Sequence, residues 1–232
     1  FPTRRSSDLE HMFILNRTCL KYVFCMQDII SIRSSYLLVQ DPERNEIFRS
    51  SIHYCDLMTS ISEFSLKDTV DFYKPEFDKR NIPTRVIYHG TDKLYDPAKN
   101  PGFKLPFDNY FVVFGNFYKH KFVPQLLEAL KSSKHRIIVI GSTSEGAIGN
   151  SMYGYKSGNL SDEFIDYVLG NSLGIIFPSI YEGFGLPFLD GMSYSKKIIV
   201  NNTELNRELR NYFDAFSENV YIFNSLAEVD GI

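Results

Sequence analysis

The stretch Phe177-Pro-Ser-Ile-Tyr-Glu-Gly-Phe-Gly-Leu-Pro-Phe-Leu-Asp-Gly-Met192 follows the apolar run Gly174-Ile175-Ile176 and leads into a helically spaced segment. Physically it reads as a buried strand, a glycine-punctuated turn and a helix opened by Pro187. Proline suits a first helical turn, where its missing N–H has no intrahelical partner. Gly183 and Gly185 let the backbone approach a ligand closely. The free N–H groups and the dipole of the following helix then favour an anion such as a diphosphate. Glu182 stands at the strand exit, where a carboxylate accepts hydrogen bonds from sugar hydroxyls. Asp190 follows about one turn into the helix. Other readings of the same residues stay open. Asp190 near a helix start is favourable without any ligand, Glu182 serves equally as a capping residue, and Gly-x-Gly alone is weak evidence. The residues by themselves define an anion-binding αβ turn.

Outward from that turn, short apolar strands alternate with helices. The sequence predicts strands at Tyr22–Cys25, Leu57–Ser60, Arg85–Tyr88, Phe111–Phe114, Arg136–Ile140, Gly174–Phe177, Ile198–Val200 and Asn219–Phe223. Helices are expected over Asn45–Tyr54, Ser65–Phe72 (with Pro75 past its end), Val123–Leu130, Ser161–Val168, Leu186–Tyr194 and Glu204–Leu209. Ser161 reads as a plain N-cap. A Gly/Tyr/Ser-rich loop separates the strand ending at Ile140 from Ser161. Thr91–Pro106, with three prolines, Gly102 and no periodicity, reads as a linker. This alternation predicts an α/β fold of parallel sheets with helices on both faces. Such sheets bind ligands outside the carboxyl ends of their strands.

Composition narrows the function. The 232 residues are 44% hydrophobic and 23% charged, enough for a real core, and the formal charge of -3 supplies no basic field for a nucleic acid. Aromatic residues reach 15%, which reads first as core. Cys19, Cys25 and Cys55 form no C-x-x-C pair and read as buried thiols of a reducing, cytoplasmic compartment. No apolar run approaches the roughly 20 residues that span a bilayer. His11, His53, His89 and His135 have no metal spacing, so no protein-bound metal is expected. Phe1-Pro-Thr-Arg-Arg-Ser-Ser-Asp-Leu looks like translated adapter DNA, and residues 1–10 are set aside as non-native.

The stretch Pro178–Asp190 resembles the signature of glycosyltransferase family 4, the large retaining group with the GT-B fold. Glu182 and Asp190 have the spacing of that family's two acids. The resemblance implies that Glu182 contacts the transferred sugar and Asp190 the ribose hydroxyls. Gly183, Phe184, Gly185 and Leu186 would offer backbone N–H groups to the donor. Gly115-Asn-Phe-Tyr-Lys-His-Lys121 looks like the family's first donor-domain loop, which puts Lys121 on the phosphates and Gly115 and Asn116 beside them. Taken alone, Lys119-His120-Lys121 reads as a solvated face, but a strand's carboxyl end suits a lysine for phosphate. Asn116 stands where many members carry an arginine. Softer matches are Asn159–Glu163, Asn201–Glu208, Thr59–Phe64 and Tyr88–Asp92. Met26-Gln-Asp-Ile-Ile30 has Gln27 where the family has histidine. Asp190 replaces the usual glutamate, and Ser195 and Lys197 replace a common Gly and Pro.

The resemblance implies two Rossmann-like domains. Residues 11–95 would be the latter part of an incomplete acceptor-side domain, and residues 96–232 the domain that binds the nucleotide-sugar donor. The implied activity is retaining transfer from a nucleoside-diphosphate sugar, a co-substrate rather than a tightly held cofactor, with Glu182 and Lys121 as the catalytic groups. The acceptor would be a carbohydrate or a lipid-linked molecule, with peripheral membrane contact through the missing part of the first domain. The reading that competes is a non-catalytic domain binding a nucleotide or sugar phosphate. A hydrolase needs two carboxylates flanking a scissile bond, whereas an acid pair on one αβ turn points at a single ligand.

Overall fold

The short segments Val23–Met26 (β1), Leu57–Ser60 (β2) and Thr84–Val86 (β3) pair side by side as a parallel sheet in the order β1-β2-β3. Val23 lies opposite Leu57 and Met58 opposite Thr84. Helices α1 (Ile30–Arg33), α2 (Pro42–Tyr54), α3 (Glu63–Phe72) and α4 (Lys74–Arg80) connect these strands. Met26, Ile29, Ile52, Met58, Tyr73 and Phe77 form the core between sheet and helices. The computed structural model describes residues 21–33, 42–91, 102–115, 118–156, 158 and 160–232. The presumed non-native residues 1–10, Asn116 and most of the expected linker lie outside them. Two compact units result. The first runs to His89 and also takes in Glu182–Phe184, and the second comprises Gly90–Tyr181 and Gly185–Ile232.

The second unit holds a seven-stranded sheet, in the order β10-β9-β8-β4-β5-β7-β6. Its strands are β4 (Tyr110–Phe114), β5 (Arg136–Ser142), β6 (Gly146–Ile148), β7 (Met152–Lys156), β8 (Gly174–Phe177), β9 (Lys197–Asn201) and β10 (Val220–Phe223). All neighbours are parallel except β6 and β7. Helices α5 (Val123–Ala129), α6 (Asp162–Gly170), α7 (Leu186–Ser193) and α8 (Glu204–Tyr212) make the crossovers. The central strands are apolar in continuous runs because both faces are covered. One core gathers Phe111, Val113, Leu126, Val139 and Ile199, and another gathers Val112, Ile138, Val168 and Ile175.

Several elements differ from the sequence reading. The helix expected to open at Ser65 starts at Glu63, because Ser62 is its N-cap and accepts from the Ser65 amide at 3.0 Å. Pro75 does not follow a helix end but occupies the first turn of α4, where its missing N–H costs nothing. The Gly/Tyr/Ser-rich segment is not loop throughout: it contains β6 and β7, which pair antiparallel, with β7 laid parallel to β5. Glycine in a strand weakens the alternation by which strands are recognised, and Gly154 in β7 sits where a Cβ would stand 2.6 Å from the Ser142 hydroxyl. Ser161 caps α6, accepting from the Phe164 amide at 3.2 Å. The cysteines need correction too: Cys55 is buried, but Cys25 is exposed on β1, and Cys19 lies outside the described residues.

Candidate functional site

The strand order fixes where a ligand can sit in the second unit. From β4 the chain moves outward through β5 to β7 and β6, then returns to the other side of β4 as β8 and continues to β9 and β10. The order therefore reverses between β4 and β8, and their carboxyl ends open a crevice there. β4 ends at Phe114 and is followed by Gly115, then a 3-10 turn over Lys119–Lys121. β8 ends at Phe177, and Val113 of β4 pairs with Ile176 of β8, so both exits leave from the same edge.

Two contacts join these exits. The Ile180 amide donates to the His120 carbonyl at 2.9 Å, and the Lys121 Nζ lies 5.8 Å from the centroid of the Phe177 ring. Lys121 is half-buried, and a cation over an aromatic face is partly desolvated and pre-positioned. His120 is buried and stacks on Tyr118. The tripeptide Lys119-His120-Lys121 is therefore not a uniformly solvated face. The sequence offered no signal for the role of His120, which lies in its backbone carbonyl.

Gly115 stands where β4 leaves the sheet. Its amide donates to the Ile140 carbonyl at 2.6 Å, and a Cβ on it would stand 3.0 Å from a Val139 methyl. Gly141, which the sequence reading passed over, faces it at φ +88° with its Cβ position blocked by the Gly115 carbonyl. Asn116 falls outside the described residues.

On the β8 side, Gly185 is the N-cap of α7 at φ +87°, and a Cβ there would meet the Phe177 ring at 2.6 Å. Leu186 opens the helix and is exposed, and Pro187 follows it in the first turn. No side chain caps this terminus, Pro187 has no N–H and the Phe188 amide donates to the Gly185 carbonyl at 2.9 Å, which leaves the Gly185 and Leu186 amides at the positive end of the helix dipole. Asp190 is the fifth residue of α7, one position beyond the first turn, and is half-buried.

Glu182, Gly183 and Phe184 pack in the first unit. One carboxylate oxygen of Glu182, Oε1, is shut off from solvent. Gly183 has no room for a side chain: a Cβ would stand 2.7 Å from the Gln27 carbonyl and 2.8 Å from Cβ of Asp28. Its carbonyl accepts from the hydroxyls of Ser62 at 2.7 Å and Ser65 at 2.8 Å. Phe184 is buried with its ring edge-on to Tyr88 and His89. Both glycines of the turn thus answer to close approach by the protein's own atoms. Among the described residues no trio of His, Cys, Asp or Glu is gathered as a metal site requires. No described helix is long and apolar enough to cross a membrane.

Comparison with known proteins places this geometry in a class. The sequence profile of the family described as "Glycosyl transferases group 1" matches residues 99–218, which is more than half of the 232. The chain belongs to the group 1 glycosyl transferases. No curated protein sequence matches the chain. Among solved structures it is similar to the sucrose-phosphate synthase of Thermosynechococcus elongatus, at 12% identity and TM-score 0.69 over 97% of this chain and 60% of that one. It is likewise similar to Anabaena HepE, solved with UDP and glucose, at 12% identity and TM-score 0.71 over 98% and 65%. A third likeness is to WaaG, a glycosyltransferase of lipopolysaccharide biosynthesis, at 11% identity and TM-score 0.65 over 100% and 74%. The chain spans only 60% and 65% of the lengths of the first two. These likenesses define the fold: α/β of the GT-B type, built from Rossmann-like parallel sheets.

Proposed function

We propose that this protein is a retaining transferase of glycosyltransferase family 4, moving a sugar from a nucleoside-diphosphate sugar to a glycan, lipid or other acceptor. The observation that carries the proposal is the crevice at the β4–β8 reversal, with Lys121 on one exit and the uncapped N-terminus of α7 on the other. A cation and a helix N-terminus opening from one edge of a parallel sheet suit a diphosphate. The group 1 family membership supports the same reading, and HepE, of similar fold, was solved with UDP and glucose.

In this reading Lys121 and the α7 amides stabilise the negative charge that grows on the diphosphate as its bond to the sugar breaks. The acceptor oxygen bonds the same face of the anomeric carbon and passes its proton to the departing diphosphate oxygen. Fixed charges and dipoles of this kind act most strongly where charge develops. Asp190 serves the ribose and Glu182 the sugar. No tightly held cofactor takes part. The setting is the cytoplasm, in polysaccharide synthesis, with the first domain touching a membrane where the acceptor is a lipid.

The test is a thermal-shift panel of UDP-, GDP- and ADP-sugars. At least one donor should raise the unfolding midpoint, and Lys121→Ala should shrink that shift. A panel in which no nucleotide sugar moves the midpoint overturns the proposal.

A further inference from the structure

Two helices of the first unit frame a cavity of about 290 Å³, lined by Arg49, Ser50, His53 and Tyr54 of α2 and by Glu76 and Lys79 of α4. Arg49 and His53 stand four residues apart, as do Ser50 and Tyr54, and Glu76 and Lys79 stand three apart. Each helix therefore turns neighbouring side chains toward the gap. The frame is fixed from below. Ile52, Tyr73 and Phe77 are packed in the core, and the Tyr73 hydroxyl donates to Asn45 Oδ1 at 2.9 Å, tying α2 to the start of α4.

The place of the cavity on its sheet is not that of a substrate cleft. α2 ends at Tyr54, just before β2 begins at Leu57, and α4 ends at Arg80, just before β3 begins at Thr84. The late turns of both helices thus stand beside the starting ends of the strands, whereas open parallel sheets bind substrates outside the carboxyl ends.

The charges of the lining select an anion. Glu76 is the sole carboxylate among the six, and it is occupied: Arg49 Nε lies 2.9 Å from its Oε1. Arg49 reaches Glu46 only at 3.8 Å, which leaves the Nη side of its guanidinium for another acceptor. Lys79 and His53 are exposed, and among the described residues neither has an ion pair. The lining is therefore net positive and rich in donors, since the Ser50 and Tyr54 hydroxyls and the His53 ring add theirs. A helix C-terminus favours a cation, which accounts for His53 and Lys79 one by one. It accounts neither for a cavity between the two ends nor for Arg49, more than a turn before α2 stops.

A phosphate group accepts through several oxygens and donates little, and an arginine fork with a lysine point charge suits it. The volume approaches the roughly 300 Å³ at which small-molecule sites begin. The rings of His53 and Tyr54, edge to face at 4.8 Å, supply a wall for the group that carries the phosphate. A membrane-borne phosphate calls for apolar surface beside the site, and none of the exposed large hydrophobic residues lies on α2 or α4.

We propose that the gap between α2 and α4 binds a small, soluble phosphate monoester, with Arg49 and Lys79 on the phosphate and the His53 and Tyr54 rings against its carbon skeleton. Its occupancy does not depend on the donor-binding function above.

The probe is sn-glycerol 3-phosphate, titrated into the full chain and followed by 31P NMR, with glycerol as the uncharged control. Lys79→Ala should weaken binding about tenfold or more, the range for losing a charge-assisted hydrogen bond. Lys79 is exposed and unpaired, so its removal leaves the fold intact. Lys74→Ala removes a lysine of the same helix that is engaged with Asp78 at 2.7 Å, and should leave the affinity unchanged. Lys121→Ala should leave it unchanged as well. Absence of binding to the parent, or equal affinity in parent and Lys79→Ala, overturns the site. A loss in Lys121→Ala alone assigns the phosphate to the β4–β8 crevice and overturns it too. Phosphatidylcholine vesicles doped with phosphatidic acid present the same monoester on a membrane. Failure of these vesicles to compete supports the soluble ligand, and competition by them overturns that source.

Discussion

The amide of Gly115 donates to the carbonyl of Ile140 at 2.6 Å, closing the β4–β5 pairing at the point where the loop to Lys121 departs. The contact is possible because Gly141, the next residue along at φ +88°, has no side chain: a Cβ there would clash with the Gly115 carbonyl oxygen. Gly141→Ala therefore meets two costs, a left-handed conformation at about 1–2 kcal/mol and an overpacked backbone contact at about 1–3 kcal/mol. The expected loss is about 2–5 kcal/mol of unfolding free energy, read from urea denaturation. Gly149→Ala, also at positive φ but with open space around it, is the control and should lose only the conformational part.

Ser195 follows α7 at φ +53°, a conformation that a side chain disfavours. Its amide donates to the Met192 carbonyl and the next amide, of Lys196, donates to Gly191, closing the helix end. Ser195→Gly should relieve the left-handed cost while adding unfolded-state entropy, for a net gain of about 0.5–1 kcal/mol. A thermal midpoint that fails to rise would show that the hydroxyl compensates for the strain.

The Asp56 carboxyl is held below its ordinary range, first by the Tyr22 amide at 2.9 Å and then by the Lys21 ammonium at 3.2 Å. Its folded pKa lies below its unfolded one. The stabilisation is therefore present in full above the unfolded value and fades as pH falls through the folded value. Asp56→Asn keeps the shape and loses the charge, so parent and variant should differ at pH 7 and converge in strong acid. Parallel stability curves down to pH 2 would contradict the assignment.

The ionised side of these units was less legible from sequence than the apolar side. The strands β4, β5, β8, β9 and β10 were readable because their runs of Val, Ile, Phe and Tyr are nearly continuous. β7, Met-Tyr-Gly-Tyr-Lys, carries a glycine and no such run, and read as loop. The N-cap of α3 was misplaced because Ser62 and Ser65 are both competent caps, and what separates them is that Ser62 accepts from the Ser65 amide, while both hydroxyls donate to the Gly183 carbonyl. In the candidate site the residue types of the αβ turn were visible, but the reasons for its glycines were not. Gly183 and Gly185 are pressed by Gln27, Asp28 and Phe177, contacts that no local pattern encodes.

Lys121 lies over the Phe177 ring at the exit of β4. If it meets the donor phosphates, Lys121→Ala should weaken bare nucleoside diphosphate by about 1–3 kcal/mol, the range for losing a charge-assisted hydrogen bond. Titration calorimetry with UDP and GDP reads this directly. Equal affinity in parent and variant would remove Lys121 from the site.

The two acids of the turn should divide the donor between them. Glu182 packs with the Gly183–Phe184 peptide, with one carboxylate oxygen shut off from solvent, whereas Asp190 stands half-buried one position beyond the first turn of α7. A carboxylate accepts two ribose hydroxyls, while an amide offers one acceptor and two donors. Asp190→Asn should therefore weaken the bare nucleoside diphosphate, by about 1.5–3 kcal/mol for a lost hydrogen bond to a charged group. The side chain is one methylene shorter than glutamate, and a bridging water at this distance would hold the loss at the lower end. If Glu182 contacts the sugar, Glu182→Gln should leave the bare nucleotide nearly untouched and reduce transfer strongly, because the bare nucleotide carries no sugar. Calorimetry of both variants with UDP or GDP, and then with the corresponding nucleotide sugar, separates the roles. If Glu182→Gln lost the bare nucleotide while Asp190→Asn kept it, the assignments would have to be exchanged.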